Sequence, residues 1–402
     1  MGQSYTLEAR VGLSNPGSSS PSFADCSTRV RSVSIRRGRS YELDRDETGT
    51  VTLVIENSDR LFDPANTTGS LYGLLLPMRK LKIAATVNGT TYALFNGFVE
   101  KFTQTWEGNN IGRCTIQAAD GLKVLAIKKL TDAGYDSHTV DVRIGQVLDD
   151  LGWSTVDRSL SSGITVLSSA TPGDVSALSH IQTAVLSENG RVFISASGAL
   201  TFQNRSQIYS ATAANATFGD STAELGYTGL GVAYDESQIY NEVFIQSTTG
   251  QAQISRDTAT SQLLFLERTL SRTGLFLIDD NEANAMADYL LTKYKDPVLR
   301  IESMELTPET DPNGLYPQAF GRELGDRVNV IRRPPQSDST NIITQPSFIE
   351  GIEHTLEIGV LAKTNFRLSA VGIASLNVSP IILDNATAGR IDVTSTTGVL
   401  VY

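Results

Sequence analysis

Three histidines, two cysteines and a handful of adjacent carboxylates are the residues of this 402-residue chain with the widest chemical repertoire. His138, His180 and His354 are widely separated and stand in none of the short spacings by which one helix or turn offers two imidazoles to a metal ion. Asp149-Asp150, Asp235-Glu236 and Asp279-Asp280 suit helix ends and loops, and none sits in a recognisable cleft of the kind a pair of acid and base carboxylates needs. Asp44-Arg45-Asp46-Glu47-Thr48-Gly49 opens like a calcium loop but lacks the closing bidentate glutamate, so it reads as a turn before a strand. There is no G-x-S-x-G elbow, phosphate loop or H-E-x-x-H helix. The pattern therefore points to no catalytic residue, no metal site and no cofactor. Cys26 and Cys114 are too few for a disulfide framework in so long a chain, which suits folding in a reducing cytoplasm.

Charge narrows the partners. The net charge is −11, and it is uneven: residues 1–130 carry +4 and the remainder −15. An acidic chain does not grip nucleic acid, because neutralising phosphates takes clustered Lys and Arg. It does suit a surface past which DNA slides without sticking. Arg29, Arg31, Arg36, Arg37 and Arg39 form the one basic cluster. It reads better as a solvated strand face or an inter-subunit salt-bridge surface than as a polyanion dock. No apolar run approaches the about 20 residues that cross a membrane. The first residues, MGQSYTLEARVGL, lack the basic and apolar regions of a secretory signal, and an alternating strand already starts at Tyr5-Thr6.

The elements around these residues are mostly strands. Val51, Leu53 and Ile55 alternate with Thr52, Val54 and Glu56, and Asn57-Ser58-Asp59 then breaks the strand. Leu61 and Phe62 are expected to pin the following loop to the body, and Pro77 precedes a second strand, Arg79–Ile83. Asn88-Gly89 between two apolar runs predicts a two-residue hairpin. After residue 118 the pattern changes. Helices are expected after Asp120, over Val142–Leu151 with Gly152 as its end, and over Asp174–Asn189 with Gly190 as its stop. A hairpin follows over 191–204, then β structure from Asn241, one capped helix carrying Ala283, Met286, Ala287, Leu290, Leu291 and Tyr294, and strands at 298–306, 324–330, 348–354 and 362–370. The fold class is thus β-rich α+β multidomain. We expect an N-terminal β domain over 1–118 (completed in one reading by 207–240), an α+β insertion over 119–206, a second β domain over 207–370 and a C-terminal arm over 371–402.

The segment Gly49–Ile83 resembles the N-terminal region of tail hub proteins, the baseplate hub or minor tail proteins of long-tailed bacteriophages. Those carry a strand, an N-x-D-R-x-F-D-P-like turn, a variable loop and a P-x-R-x-v-x-I strand, matched here at Asn57, Asp59, Arg60, Phe62, Asp63, Pro64, Pro77, Arg79 and Ile83. Leu94–Val99, Arg191–Phe202, Leu324–Val330 and Phe348–His354 resemble further family strands in the same order, so the likeness spans about 50–370 with gaps. The resemblance implies a non-enzymatic virion protein of the tail tip, assembled in the host cytoplasm. Its two tube-like β-barrel or sandwich domains resemble each other, so that a homotrimer presents six similar units to the six-fold tail tube. Partners implied are the distal tail protein, the tape measure protein and tail-tip fibre or spike proteins, with DNA met only in passing. Candidate interface residues are Arg29, Arg31, Arg36, Arg37, Arg39, Asn57, Asp59, Arg60, Phe62, Asp63 and Pro64. Two alternatives stand beside this reading. One is a distal tail protein forming a hexameric ring. The other is a glycan- or receptor-binding adhesin, which would use Trp106 or Trp153 as an aromatic platform.

Overall fold

Apolar residues at every second position dictate the main architecture. The computed structural model describes residues 5–371 apart from 19, 109–110, 131–133, 211–212, 235 and 336–341. All but the first residue of the expected C-terminal arm thus lies outside the described residues. The first seven strands are β1 (Thr6–Gly12), β2 (Phe23–Asp25), β3 (Val30–Gly38), β4 (Glu47–Glu56), β5 (Lys80–Val87), β6 (Thr90–Glu107) and β7 (Ile111–Ala119). In β4, Val51, Leu53 and Ile55 are buried while the residues between them are half-buried or exposed, as a one-sided strand requires. The expected hairpin forms: Asn88 (φ 48°) and Gly89 (φ 80°) link Val87 to Thr90 in a two-residue turn.

These strands lie side by side in the order β2-β1-β5-β6-β7-β4-β3. The sheet does not stop at β3. Its outer edge pairs antiparallel with Gly351–Glu357, part of the long strand Ile343–Glu357. Lys363–Ala370, Arg300–Leu306 and Gly229–Ala233 continue beyond, and Arg327–Arg332 with Ala216–Phe218 branches off, making thirteen strands. Ile343–Glu357 changes neighbours midway. Its first half pairs with Arg327–Arg332, its second with β3, and a register irregularity falls between Ile349 and Gly351. Gly38 makes the crossing possible: at φ +91°, an added Cβ would lie 2.2 Å from the carbonyl oxygen of Glu350. Among the described residues no set of strands closes into a barrel. The sheet is open and, apart from Ala216–Phe218 on Arg327–Arg332, antiparallel.

Seven α-helices occur among the described residues. After β7 come α1 (Gly121–Ile127), α2 (Val140–Asp150) and α3 (Ala177–Glu188). Gly152 (φ 67°) ends α2, with the Trp153 N–H on the Leu148 carbonyl. At α3 the stop falls one residue earlier than expected. Asn189 takes the left-handed conformation (φ 56°), and Gly190 then donates to the Val185 carbonyl. Asn tolerates that conformation nearly as Gly does. These three helices share a separate core of Leu122, Val140, Ile144, Val147, Leu148, Ile181 and Phe202, with Phe276 packed against it. A third core packs the helix Asp280–Tyr294 on the small sheet of Glu242–Ser247, Gln253–Arg256 and Thr269–Leu275, and its Ala283, Met286, Ala287, Leu290 and Tyr294 face inward as expected.

Among the elements that depart from expectation, two have a clear cause. The helix Pro312–Gly321 has no counterpart in the pattern, because Pro312, Gly314, Pro317 and Gly321 all read as breakers. It forms because Pro sits at its first position, Asp311 accepts from the Gly314 N–H, and Tyr316 and Phe320 pack on Tyr5. The strand Ile343–Glu357 begins five residues before the strand expected at 348–354, since Pro346 disguises its first half.

Asp120 ties the sheet to α1. Its buried carboxylate accepts from the Leu122 N–H (2.9 Å), starting α1, and from the Gly49 N–H (2.7 Å) in β4. Burial pushes its pKa up to about 7 against the pull of those two bonds. Asp120→Ala leaves both donors without an acceptor and should lower the unfolding free energy by about 1–3 kcal/mol. Urea denaturation followed by tryptophan fluorescence checks this, and an unchanged midpoint would contradict it.

Candidate functional site

The long connection from β4 to β5 does the work of a missing strand. β6 is eighteen residues long, but β5 pairs only with its first half, up to Phe98. Beyond that point the loop lies alongside. Met78 N–H donates to the Val99 carbonyl, Val99 N–H to the Arg79 carbonyl (both 2.7 Å), and the Gln104 side chain to the Phe62 carbonyl (2.9 Å). Asn57 stitches the turn from inside. Fully buried, it accepts from the Phe62 N–H (2.8 Å) and donates to Gln104 (2.9 Å). Phe62 enters the main core, and Leu61 packs against it. Asp59 receives a two-pronged pair from Arg29 (2.7 and 2.6 Å), Arg60 at φ +62° pairs with Asp63 (2.8 Å), and Asp63 accepts from the Ala65 N–H. Pro64 is half-buried. Each charged or amide side chain from Asn57 to Asp63 in the family-like motif therefore has a partner within the chain.

The basic cluster divides into exposed and buried members, with register irregularities in β3 at Val30/Ser32 and Arg36/Gly38. Arg31 and Arg36 stand on the exposed face of β3, paired with Glu56 (3.2 Å) and with Glu47 and Glu353 (3.4 and 3.6 Å). Arg37 and Arg39 are buried. Arg37 meets Glu323 (2.7 Å), whose second oxygen accepts from the Ala196 N–H. Arg39 bonds Glu350 (2.7 Å) and the Asp44 carbonyl.

Glu350 belongs to a network that the sequence reading did not identify. Arg191, first residue of the strand Arg191–Ile194, is 2% exposed. It grips both oxygens of Asp46 (2.8 and 2.9 Å), approaches the Glu350 carboxylate (3.3 Å) and donates to the carbonyls of Ile349 and Glu350. Burial alone would raise the Glu350 carboxyl, but Arg39 and Arg191 outweigh it and hold the pKa down at about 2. A signal was present. An arginine heading an apolar strand, and a glutamate inside Phe348-Ile349-Glu350-Gly351-Ile352, must be paired if the strands are buried.

One face of the large sheet is hydrophilic from Arg300–Leu306 across to β6. Small polar side chains such as Ser34, Thr52, Thr115 and Gln117 line it, and its charges pair with one another: Lys363 with Glu305, Arg367 and Arg36 with Glu353, Arg31 with Glu56. The two ends of the sheet differ. At the end where β3 starts and β4 finishes, the tip Ile358–Leu361 exposes Ile358, Val360 and Leu361, and the β6–β7 hairpin exposes Trp106 and Ile111. The opposite end carries α1 and the insertion, with the Arg191 network at its root.

Among the described residues no cluster of His, Cys, Asp and Glu is arranged to hold a metal ion. His354 is buried, bonded to Thr364 (3.0 Å) and held neutral, its pKa pushed down to about 3 by burial and then by Arg37. His180 is likewise buried, at about 4, through burial and then Arg143. Trp106 is half-exposed with the Arg60 guanidinium 5.9 Å from its ring. Trp153 is half-buried and donates to the Asp157 carbonyl.

No protein-family model and no curated protein matches the sequence. Solved structures do match the fold. The tail protein of Neisseria meningitidis MC58 aligns over 91% of this chain and 96% of its own, with TM-score 0.60 at 12% identity. The prophage MuSo2 43 kDa tail protein of Shewanella oneidensis aligns over 91% and 98%, with TM-score 0.55 at 9% identity. The E. coli c3393 protein, a type VI secretion component similar to the T4 bacteriophage tail proteins gp27 and gp5, aligns over 86% and 74%, with TM-score 0.50 at 10% identity. This chain therefore shares the fold of phage tail proteins and of a related secretion-system component.

Removing Asn57 leaves the Phe62 N–H and Gln104 unsatisfied in a buried turn. Asn57→Ala should cost about 1–3 kcal/mol and make the 58–78 loop the first site of limited proteolysis; cleavage elsewhere first would speak against the stitching role. His354 contributes a pH dependence. Its folded pKa lies below the ordinary 6.5, so its stabilisation is complete above pH 6.5 and is lost as pH falls toward 3. His354→Gln should flatten the stability profile between pH 6 and 4 by about 1.4 kcal/mol per pH unit. Parallel profiles for variant and parent would refute it.

Proposed function

We propose that this chain is a tail hub, a ring-forming structural protein at the distal end of a long phage tail. The observation that carries the reading is the single sheet built from two strand groups, joined where β3 meets Gly351–Glu357, with one hydrophilic face common to both. Two tube-like units per chain give a ring of three chains six units, matching a six-fold tube above and three-fold fibres or a spike below. The charge-paired face suits a channel wall, since self-neutralised side chains leave few free cations to hold DNA phosphates as it passes. We take the units as 1–118 and 207–370, the insertion as 119–206 and the arm as 371–402. The likeness in fold to tail proteins supports the reading, as does the order of the family-like motifs.

The bare end of the sheet is the docking end in this reading, facing the distal tail protein, and the end with the insertion points toward fibres or spike. Of the candidate interface residues, Arg29, Arg31, Arg36, Asp59 and Arg60 keep side-chain surface in solvent and make the contacts. Asn57, Phe62, Asp63, Arg37 and Arg39 are buried and hold the others in place. Such a protein works without a cofactor or catalytic group. It is assembled in the host cytoplasm and resides in the virion. The adhesin alternative rests on Trp106 alone, whose ring already faces Arg60.

Light scattering and negative-stain class averages of the purified protein test this. A ring of three with a six-lobed outline is expected. A ring of six would favour a distal tail protein, and a monomer that stays single when mixed with tail tubes would exclude both. Val360→Asp combined with Leu361→Asp should leave the ring intact and abolish its attachment to tubes; undiminished attachment would reverse the assignment of ends.

A further inference from the structure

Most buried side-chain polar atoms without a hydrogen-bond partner among the described residues belong to the insertion rather than to the large sheet. Arg143 stands out. It projects from α2 and is the largest fully buried side chain among the described residues. Its Nη2 donates to the carbonyls of Asp136 (2.7 Å) and Ser168 (2.9 Å). Its Nε and Nη1 have no acceptor, and no ion pair to Arg143 occurs among the described residues. The guanidinium lies 5.4 Å from the Tyr135 ring and 5.9 Å from that of Phe276. The His180 ring sits against the same two aromatics, at 5.1 and 5.0 Å. The Nε2 of His180 and the hydroxyl of Ser168 are also buried and unpartnered.

An uncompensated buried cation is among the costliest groups a core can hold. Here Asp136 acts on it electrostatically but makes no ion pair with it, and Asp150 is engaged by the Tyr135 hydroxyl (2.7 Å). What the cluster offers is a set of donors: the guanidinium N–H groups, a hydroxyl, and an imidazole nitrogen that can carry the ring proton. We propose that Arg143, Ser168 and His180 form a site for a small inorganic monoanion of chloride size, buried inside the insertion. One cation calls for one negative charge, which excludes a dianion such as hydrogen phosphate. Binding a single ion would complete the insertion's core and fix α2 against α3.

The test uses the full chain. At constant ionic strength, replacing chloride by gluconate, too large for such a site, should lower the melting temperature by about 2–4 °C, and bromide should restore it. Arg143→Met should melt at the same temperature in chloride and gluconate. Crystals of the unaltered protein soaked in bromide should show an anomalous peak within hydrogen-bond distance of Arg143 Nε or Nη1, a measurement that stands even if the variant fails to fold. A melting temperature indifferent to the anion, or a water in that position with no bromide signal, would overturn the proposal.

Discussion

Arg191 is the point on which the arrangement turns. A guanidinium placed at the root of the insertion, out of water, must find carboxylates or the fold fails, since desolvating it costs several kcal/mol. Its partners come from far along the chain: Asp46 lies 145 residues away, and the Glu350 carbonyl 159. Satisfying one side chain thus brings together the start of β4, the strand Ile343–Glu357 and the insertion. Arg39 completes the set by pairing with Glu350 from the end of β3. Nearby, Lys293 of the helix Asp280–Tyr294 pairs with Glu42, so the third core is tied to the same stretch of chain. Residues 39–46 act as a keystone.

The family-like motif after β4 acquires a physical meaning from its geometry. Asn57, Asp59, Arg60, Phe62 and Asp63 are occupied in folding their own loop against a strand that has lost its neighbour. The motif specifies a shape, and the residues beyond it are free to vary in what they present. Tyr72, Leu74 and Leu76 are exposed on that loop, whereas Leu75 between them is buried as an anchor.

Much of the fold was legible because its signals are local. Alternation marked β4 and β5, Asn88-Gly89 marked their neighbour's hairpin, and capped apolar stripes marked α2, α3 and Asp280–Tyr294. The helix Pro312–Gly321 was hidden because packing of Tyr316 and Phe320 overrides the composition of its backbone. Of the candidate site, the loop and the basic cluster were visible, but their division into inside and outside was not drawn. Counting by two from Val33 and Ile35 places Arg37 inward and Arg36 outward, but it also places Arg31 inward, and only the register irregularity between Val30 and Ser32 turns Arg31 out. The union of β3 with Gly351–Glu357 could not be read at all. Neither strand's pattern names its neighbour, and register between such distant segments is set by the whole assembly of cores.

That union also sets an order of events during synthesis. The outer edge of β3 emerges from the ribosome early, with its backbone N–H and C=O groups unpaired, and its partner is made some three hundred residues later. At ordinary elongation rates the edge waits on the order of tens of seconds. An uncovered edge of that length invites association with other nascent chains. The arginines along β3 are therefore useful before any ring exists: repulsion between like charges on neighbouring chains keeps the strand available for the one segment whose glutamates, Glu350 and Glu353, answer it.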